Sequence, residues 1–221
     1  MTNRGHILVC FAVKEEARHF VIPPAAGQGT TVRVLVTGMG QSNASDSIKR
    51  ELASHSCSLV LTCGFAGGLN PDLAFGTVVY SADEQTALSP LLTSLSAVPA
   101  RFHCADRVAV TAAEKHALRE TTGADAVEME SGIIRSACLQ RGVPSATIRV
   151  ILDAAGEDLP LDFNALMTAD QKINFPKLIW SVVTHPSKIP KLLKLQRQSD
   201  MAAQRLAEIL HRLLTPQSGG S

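Results

Sequence analysis

The chain has 221 residues, of which 45% are hydrophobic and 19% are charged, and its formal net charge at pH 7 is +1. This length and composition are typical of one globular domain, and we predict a single domain over residues 1–214 followed by a flexible Gly/Ser-rich tail at 215–221. The chain has no basic block, which argues against nucleic acid or an anionic membrane as the main partner, because phosphate binding needs clustered Lys and Arg.

The cysteines and the N-terminus indicate a cytoplasmic protein. No C-x-x-C pair is present, and most cysteines lie inside apolar runs, which favours small buried hydrophobes over metal or catalytic roles. The apolar run 7–13 is too short for a secretory signal and is followed by charged residues 14–16. No run approaches the length of a transmembrane span. The five cysteines are Cys10, Cys57, Cys63, Cys104 and Cys138.

Apolar runs of strand length alternate with helical patterns along the chain. Continuous apolar strands between helices are typical of a sheet that is buried on both faces. We therefore predict a three-layer α/β/α fold with a central mixed, largely parallel sheet. In chain order, the predicted strands are 7–13, 32–36, 58–63, 76–80, 107–110, 124–127 and 146–151, and the predicted helices are 15–21, 43–54, 113–121, 132–142 and 188–214.

Five segments that contain glycine or carboxylate follow directly on predicted strands. In open α/β sheets, ligands bind beyond the carboxyl ends of the strands. We therefore expect these segments to converge on one pocket. They are residues 14–16, 38–40, 64–68 and 128–130 and Asp153.

The glycine-rich segment 64–68 matches neither common phosphate-binding motif. No Gly-Lys-Ser/Thr follows it, and Asn70-Pro71-Asp72 stands where a dinucleotide fold would begin its helix. Two interpretations remain open, a tight turn and a backbone that a ligand approaches closely.

The carboxylates allow a structural and a functional interpretation. Glu16 alone is typical of a solvated acid in a first helical turn, with a catalytic base as the alternative. Asp153 either caps a turn or acts as a general acid whose pKa burial has raised. Glu128 and Glu130 lie two residues apart at a strand end, where one can face a pocket and accept hydrogen bonds from a ribose diol; a structural ion pair is the alternative.

Six motifs in order resemble the nucleoside phosphorylase and nucleosidase superfamily, which includes methylthioadenosine/S-adenosylhomocysteine nucleosidase. Within it, the segments 64–73, 130–131, 159–160 and 185–195 are similar to the hopanoid-biosynthesis-associated branch. The six motifs are a strand followed by Glu15-Glu16, Thr37-Gly38-Met39-Gly40 with Asn43-Ala44, Gly64-x-Ala66-Gly67-Gly68-Leu69, Gly76-Thr77-Val78-Val79, Val127-Glu128-Met129-Glu130-Ser131 and Arg149-Val150-Ile151-x-Asp153.

The resemblance implies cleavage of a purine N-glycosidic bond by water or phosphate, through an oxocarbenium-like transition state. Glu16 would orient or deprotonate the attacking water, and Asp153 would protonate N7, since adenine is a poor anionic leaving group. No cofactor is expected, phosphate is a possible co-substrate, and a homo-oligomer is implied. The implied substrate-binding residues are Glu130 and Met129 at the ribose, Met39 near the 5′ substituent, and Phe65, Ala66, Gly67 and Glu128.

Several departures from the family pattern shape the functional hypothesis. Leu152 replaces a serine common beside the catalytic aspartate, Phe65 replaces another, and the segment 102–126 is shorter than usual. We therefore predict release of adenine from a nucleoside with an apolar 5′ substituent, such as adenosylhopane. A nucleoside-binding protein without catalysis is the alternative. Neither Arg18 nor Arg33 is assigned to a phosphate, and Phe65 and Phe102 are the candidates for stacking on the base.

Overall fold

Eight strands and seven α-helices make up the part of the chain that the computed structural model describes, which is residues 6–23, 31–166, 168 and 186–215. The strands are β1 (His6–Phe11), β2 (Val32–Val36), β3 (Cys57–Gly68), β4 (Val78–Ala82), β5 (Val98–Pro99), β6 (Phe102–Cys104), β7 (Ala126–Glu128) and β8 (Ser145–Asp153). The helices are α1 (Lys14–Ala17), α2 (Gly40–Ser54), α3 (Ser89–Ser94), α4 (Ala112–Thr122), α5 (Ser131–Gln140), α6 (Phe163–Leu166) and α7 (Ile189–Leu214).

The strands form one mixed sheet in the order β2-β1-β3-β8-β4-β5. The pairs β1–β2, β1–β3, β3–β8 and β4–β5 are parallel, whereas β4 runs antiparallel to β8. The end of β3 also pairs antiparallel with β7, which pairs parallel with β6. The predicted mixed, largely parallel sheet is confirmed.

Helices cover both faces of the sheet, which confirms the three-layer architecture. On one face, α7 packs Ala202, Leu206 and Leu210 against β3, β4 and β8. On the other face, α2 and α5 pack around Leu8 and Val60. The central strands are apolar on both sides because both sides are covered, and each fully buried aliphatic side chain contributes about 1.5–3 kcal/mol.

Two local predictions are wrong, those for 107–110 and 15–21, and the tight turn, one of the two interpretations left open for 64–68, is excluded. Residues 107–110 form no strand, because the side chain of Asn164 takes up both the N–H and the carbonyl of Val108. The glycine-rich segment 64–68 is not a turn but the end of β3, paired with β7 and β8. The helix predicted at 15–21 is a single turn, Lys14–Ala17.

The cysteines, the helices and the domain boundaries bear on the remaining predictions for the whole chain. All five cysteines are free thiols, and Cys10, Cys63 and Cys138 are buried, as expected for structural residues. None of the helices that the structure describes has the length and apolarity required to span a membrane. Of the predicted tail, all but Thr215 lies outside the described residues, and the single domain over 1–214 stays a prediction.

Candidate active site

Several of the segments that follow predicted strands lie close together at one edge of the sheet, with an arginine at their centre, and a single pocket formed by them stays a prediction. Arg149 lies on β8, and its side chain is only 1% exposed. Its Nη2 lies 2.6 Å from Glu128 Oε2, 3.7 Å from Glu130 Oε2 and 3.2 Å from Thr62 Oγ1. Burial alone would lower the pKa of Arg149, but Glu128, Glu130 and Glu16 outweigh that effect and raise the pKa above its usual range. The site is therefore built on one cation shared by three carboxylates.

Glu16 is buried, so its interpretation as a solvated helix acid is wrong. Its Oε2 accepts hydrogen bonds from the backbone N–H groups of Ala12 (2.8 Å) and Val13 (3.2 Å), and its Oε1 accepts one from Phe65 N–H (2.8 Å). Burial raises the pKa of Glu16, although Arg149 and the three amides oppose the shift. Each carboxylate oxygen has two lone pairs, so Oε2 is fully occupied, whereas Oε1 retains room for one further donor such as a water molecule.

Gly64 permits Glu16 and Arg149 to meet at the backbone of β3. A Cβ at this position would clash with Glu16 Oε1 and Arg149 Nη1. The groups that approach the backbone closely at Gly64 are thus the protein's own side chains, and close approach of a ligand to this segment stays a prediction.

Glu130 lies at the junction of β7 and α5, and it is 6% exposed. Its Oε1 accepts a 2.7 Å hydrogen bond from the backbone N–H of Gly40, at the start of α2. Burial raises the pKa of Glu130 to about 7, with Arg149 opposing and Glu16 and Glu128 reinforcing the shift. Glu130 is thus a buried carboxyl group that titrates near neutrality.

The hydrogen bonds of Glu128 are those of a structural residue, because they are made to the protein's own backbone and side chains. Its oxygens accept from the backbone N–H groups of Glu130 (3.0 Å) and Ser131 (2.7 Å), from the Ser131 hydroxyl (2.8 Å) and from Arg149 (2.6 Å). Because these donors include the first residue of α5, Glu128 ties the start of that helix to β8. Its role in substrate binding stays a prediction.

Asp153, at the end of β8, is 9% exposed and forms an ion pair with the fully buried Lys115 of α4. Burial raises the pKa of Asp153, and Lys115 opposes the shift. Gly67 lies alongside, since a Cβ on it would stand 3.4 Å from Asp153 Oδ2. The carboxyl group is therefore held in place by a residue to which the sequence assigned no function.

The apolar residues predicted to bind substrate differ in their surroundings. Met39 and Met129 are half-buried beside the carboxylate cluster, at the start of α2 and between Glu128 and Glu130. Ala66 is buried in a core cluster against which Phe102 packs.

The remaining sequence candidates lie against the core or on the surface. Phe65 and Leu152 pack, half-buried, against the central core. Arg18 pairs with Asp200 and Arg33 with Glu51.

Two residues of the site have no predicted role, Arg149 and Lys115. A signal for Arg149 was present, because a charge within the apolar run 146–151 must be paired if that run is a buried strand. For Lys115 no comparable signal exists, since a lysine on a predicted helix is normally solvated. Across the described residues, no group of three or more His, Cys, Asp and Glu side chains could hold a metal ion.

Comparison with known proteins identifies the class. The family model described as "Phosphorylase superfamily" matches residues 10–93 and 93–184. These two ranges cover most of the chain, which therefore belongs to this superfamily and is an enzyme of the predicted type.

Relatives and solved structures are consistent with this membership. The chain is 27% identical over 172 residues to the 5′-methylthioadenosine/S-adenosylhomocysteine nucleosidase of Marinomonas sp. (strain MWYL1), covering 62% of this chain and 74% of that protein. It is 25% identical over 200 residues to the nucleosidase of the same name from Anoxybacillus flavithermus, covering 75% and 81%. The futalosine hydrolase of Helicobacter pylori strain 26695 has the same fold, with a TM-score of 0.70, 16% identity, and coverage of 95% and 97%.

Proposed function

We propose that the protein hydrolyses the N-glycosidic bond of a purine nucleoside and releases adenine. The observation that carries the proposal is the cluster of Glu16, Glu130 and Arg149, buried at the carboxyl edge of the sheet. The nucleosidase relatives support the same reaction class. Carboxylates so deeply buried are costly for a purely structural purpose, and they suit a cationic, sugar-centred transition state.

Each residue of the site has a separate role in the proposed reaction. Glu16 accepts the proton of a water molecule that attacks C1′ of the ribose. Glu130 accepts hydrogen bonds from the ribose hydroxyls, with Met129 beside the sugar. As the C1′–N9 bond breaks, its electron pair passes to the purine, and Asp153 donates a proton to N7 so that the base leaves neutral. A general acid so placed contributes about 10²–10⁴-fold.

Water, rather than phosphate, is the nucleophile that the charges favour. Three carboxyl groups surround the single positive charge of Arg149, so the cluster has no net positive charge that could bind a phosphate dianion. Arg18 and Arg33 are engaged in ion pairs with Asp200 and Glu51. Both observations support hydrolysis over phosphorolysis.

For the substrate's 5′ position we propose an apolar substituent, of the kind found in adenosylhopane. The half-buried Met39 beside the site supports this choice, together with the resemblance of residues 64–73 to the hopanoid-associated branch. The free cysteines, most of them in apolar runs, support the proposal that the enzyme is cytoplasmic, and the resemblance to the superfamily supports the proposal that it forms a homo-oligomer of two or more chains.

A panel of nucleosides tests the proposed function. We expect adenine release from adenine nucleosides with and without 5′ apolar groups, with free ribose as the other product and the same rate in the presence of phosphate. Mass spectrometry of the sugar distinguishes ribose from ribose 1-phosphate. Formation of the phosphate ester would overturn hydrolysis, and tight nucleoside binding without any turnover would favour the non-catalytic alternative.

The pH dependence of the reaction follows from Glu130. We expect kcat/KM to rise with pH through about 7, the pKa to which burial raises this carboxyl group, because only the carboxylate accepts hydrogen bonds from both ribose hydroxyls. Below that pH the group is protonated and binds the sugar less well. Glutamine does not titrate, so Glu130→Gln should bind more weakly and lose this acidic limb. A Glu130→Gln profile that keeps the limb would assign it to another group.

A further inference from the structure

Lys115 is a charged side chain with no exposure at all, on a helix outside the carboxylate cluster around Arg149. Its Nζ donates hydrogen bonds to the carbonyl oxygens of Ala154 (2.8 Å) and Glu157 (2.7 Å), and it pairs with Asp153 Oδ2. Two of the three N–H groups of the ammonium are therefore taken by backbone carbonyl oxygens, and the ion pair joins the same ammonium to Asp153. Because the side chain is fully buried, the residue acts through these neighbours.

The three acceptors belong to one short segment, residues 153–157, that leaves the end of β8. One is the side chain of the proposed general acid, and the other two are the backbone of the loop that follows it. A rigid, buried cation therefore determines both the direction of the Asp153 carboxyl group and the path of the chain beyond it. A solvent-exposed lysine would do neither, because its flexible stem allows many arrangements.

We propose that Lys115 is the positioning residue of the general acid: its ammonium holds Asp153 Oδ2 and leaves Oδ1 as the oxygen that carries the proton to the purine. This inference rests on the proposed function. It also accounts for Leu152 beside the acid, since an orienting hydrogen bond from that position is unnecessary when Lys115 supplies the contact from α4.

The charge of Lys115 has a second consequence, which a merely structural residue would not have. A cation beside a carboxyl group favours its ionised form, so Lys115 determines the pH above which Asp153 can no longer donate. The other charged group acting on Asp153 is Glu157, which favours the protonated form and itself pairs with Lys194 of α7. Removal of Lys115 should therefore move the alkaline limb of kcat/KM to higher pH.

Two neutral variants test this role. Lys115→Met is expected to lower kcat by about 10²-fold, the typical effect of a misplaced catalytic group, with little change in KM and an alkaline limb at higher pH. Methionine leaves two carbonyl groups without a donor, which reduces stability. Lys115→Gln retains an N–H donor without the charge, and it should show the same shift of the limb if Lys115→Met does not fold.

A measurement independent of turnover accompanies the kinetics. The carboxyl ¹³C resonance of Asp153, assigned by its loss in Asp153→Asn, should titrate at higher pH in Lys115→Gln than in the wild type. Lys194→Met is the matched control: it removes the other lysine that contacts Glu157, but one that is exposed and does not touch Asp153. We expect its limb and its Asp153 titration to remain close to those of the wild type.

The outcomes separate this inference from the function on which it rests. An active wild type, together with a folded Lys115→Gln whose alkaline limb and Asp153 titration are unchanged, overturns the role of Lys115 alone. A wild type that releases no purine from any nucleoside overturns the proposed function and, with it, the catalytic role of Lys115.

Discussion

Asp153→Asn should lower kcat for adenine release by about 10²–10⁴-fold with little change in KM, because asparagine keeps the shape of the side chain but has no acidic proton for N7 of the base. The adenine anion is a poor leaving group, so this proton transfer supports the step that breaks the glycosidic bond. The value of kcat is measured as the rate of adenine release at saturating nucleoside.

Two controls distinguish the loss of proton donation from other effects of the substitution. Asp158→Asn makes the same substitution five residues along the same loop, at an exposed carboxylate that accepts from the backbone N–H of Ala112 and lies outside the site. It should leave the rate nearly unchanged. A 4-nitrophenyl riboside, whose leaving group departs without protonation, should react with wild type and Asp153→Asn at similar rates. An equal loss on both substrates would mean that Asp153 positions the sugar rather than the proton.

Arg149→Met should destabilise the protein by about 3–5 kcal/mol and abolish purine release, because it leaves the buried carboxylates of Glu16, Glu128 and Glu130 without their cation. The loss of stability should be larger at high pH than at low pH. Arg149 opposes the rise that burial causes in the pKa values of Glu16 and Glu130, so without it their folded-state pKa values lie further above the unfolded values. Their stability contribution is then full below the unfolded pKa and disappears as pH rises through the folded pKa.

Urea unfolding at about pH 5 and about pH 8 measures this effect, which should be larger at the higher pH. Arg135→Met provides the matched control. Arg135 pairs with Asp83 in a partly exposed position, and loss of a pair at such a site typically changes stability by about 0–1 kcal/mol. If Arg149→Met were no less stable than Arg135→Met at either pH, Arg149 would not be the centre of the cluster.

Much of the fold follows from patterns along the chain. The apolar runs at 7–13, 58–63 and 146–151 predict the three adjacent central strands, because a strand covered on both faces must be apolar on both. The helical spacing of leucines predicts α7 within one residue of its observed start. Errors occur where a distant side chain decides the local structure, as where Asn164 takes the hydrogen bonds of Val108.

The candidate site, like the fold, was predictable from the sequence only in part. Glu16, Glu130 and Asp153 follow directly on predicted strands, so their position at the carboxyl edge of the sheet is predictable from local patterns and general topology. Their burial is consistent with that prediction.

The sequence by itself therefore determined the central strands β1, β3 and β8, the long helix α7 and the edge of the sheet at which the carboxylates gather, and its resemblance to the superfamily indicated the class of reaction. Only the tertiary structure decided their partners: Arg149 among three glutamates, and Lys115 against Asp153. The physical reason is that apolar periodicity is a local property of the chain. A buried charge, by contrast, must be paired by a group that folding brings from another element, and a single sequence does not record which group that is.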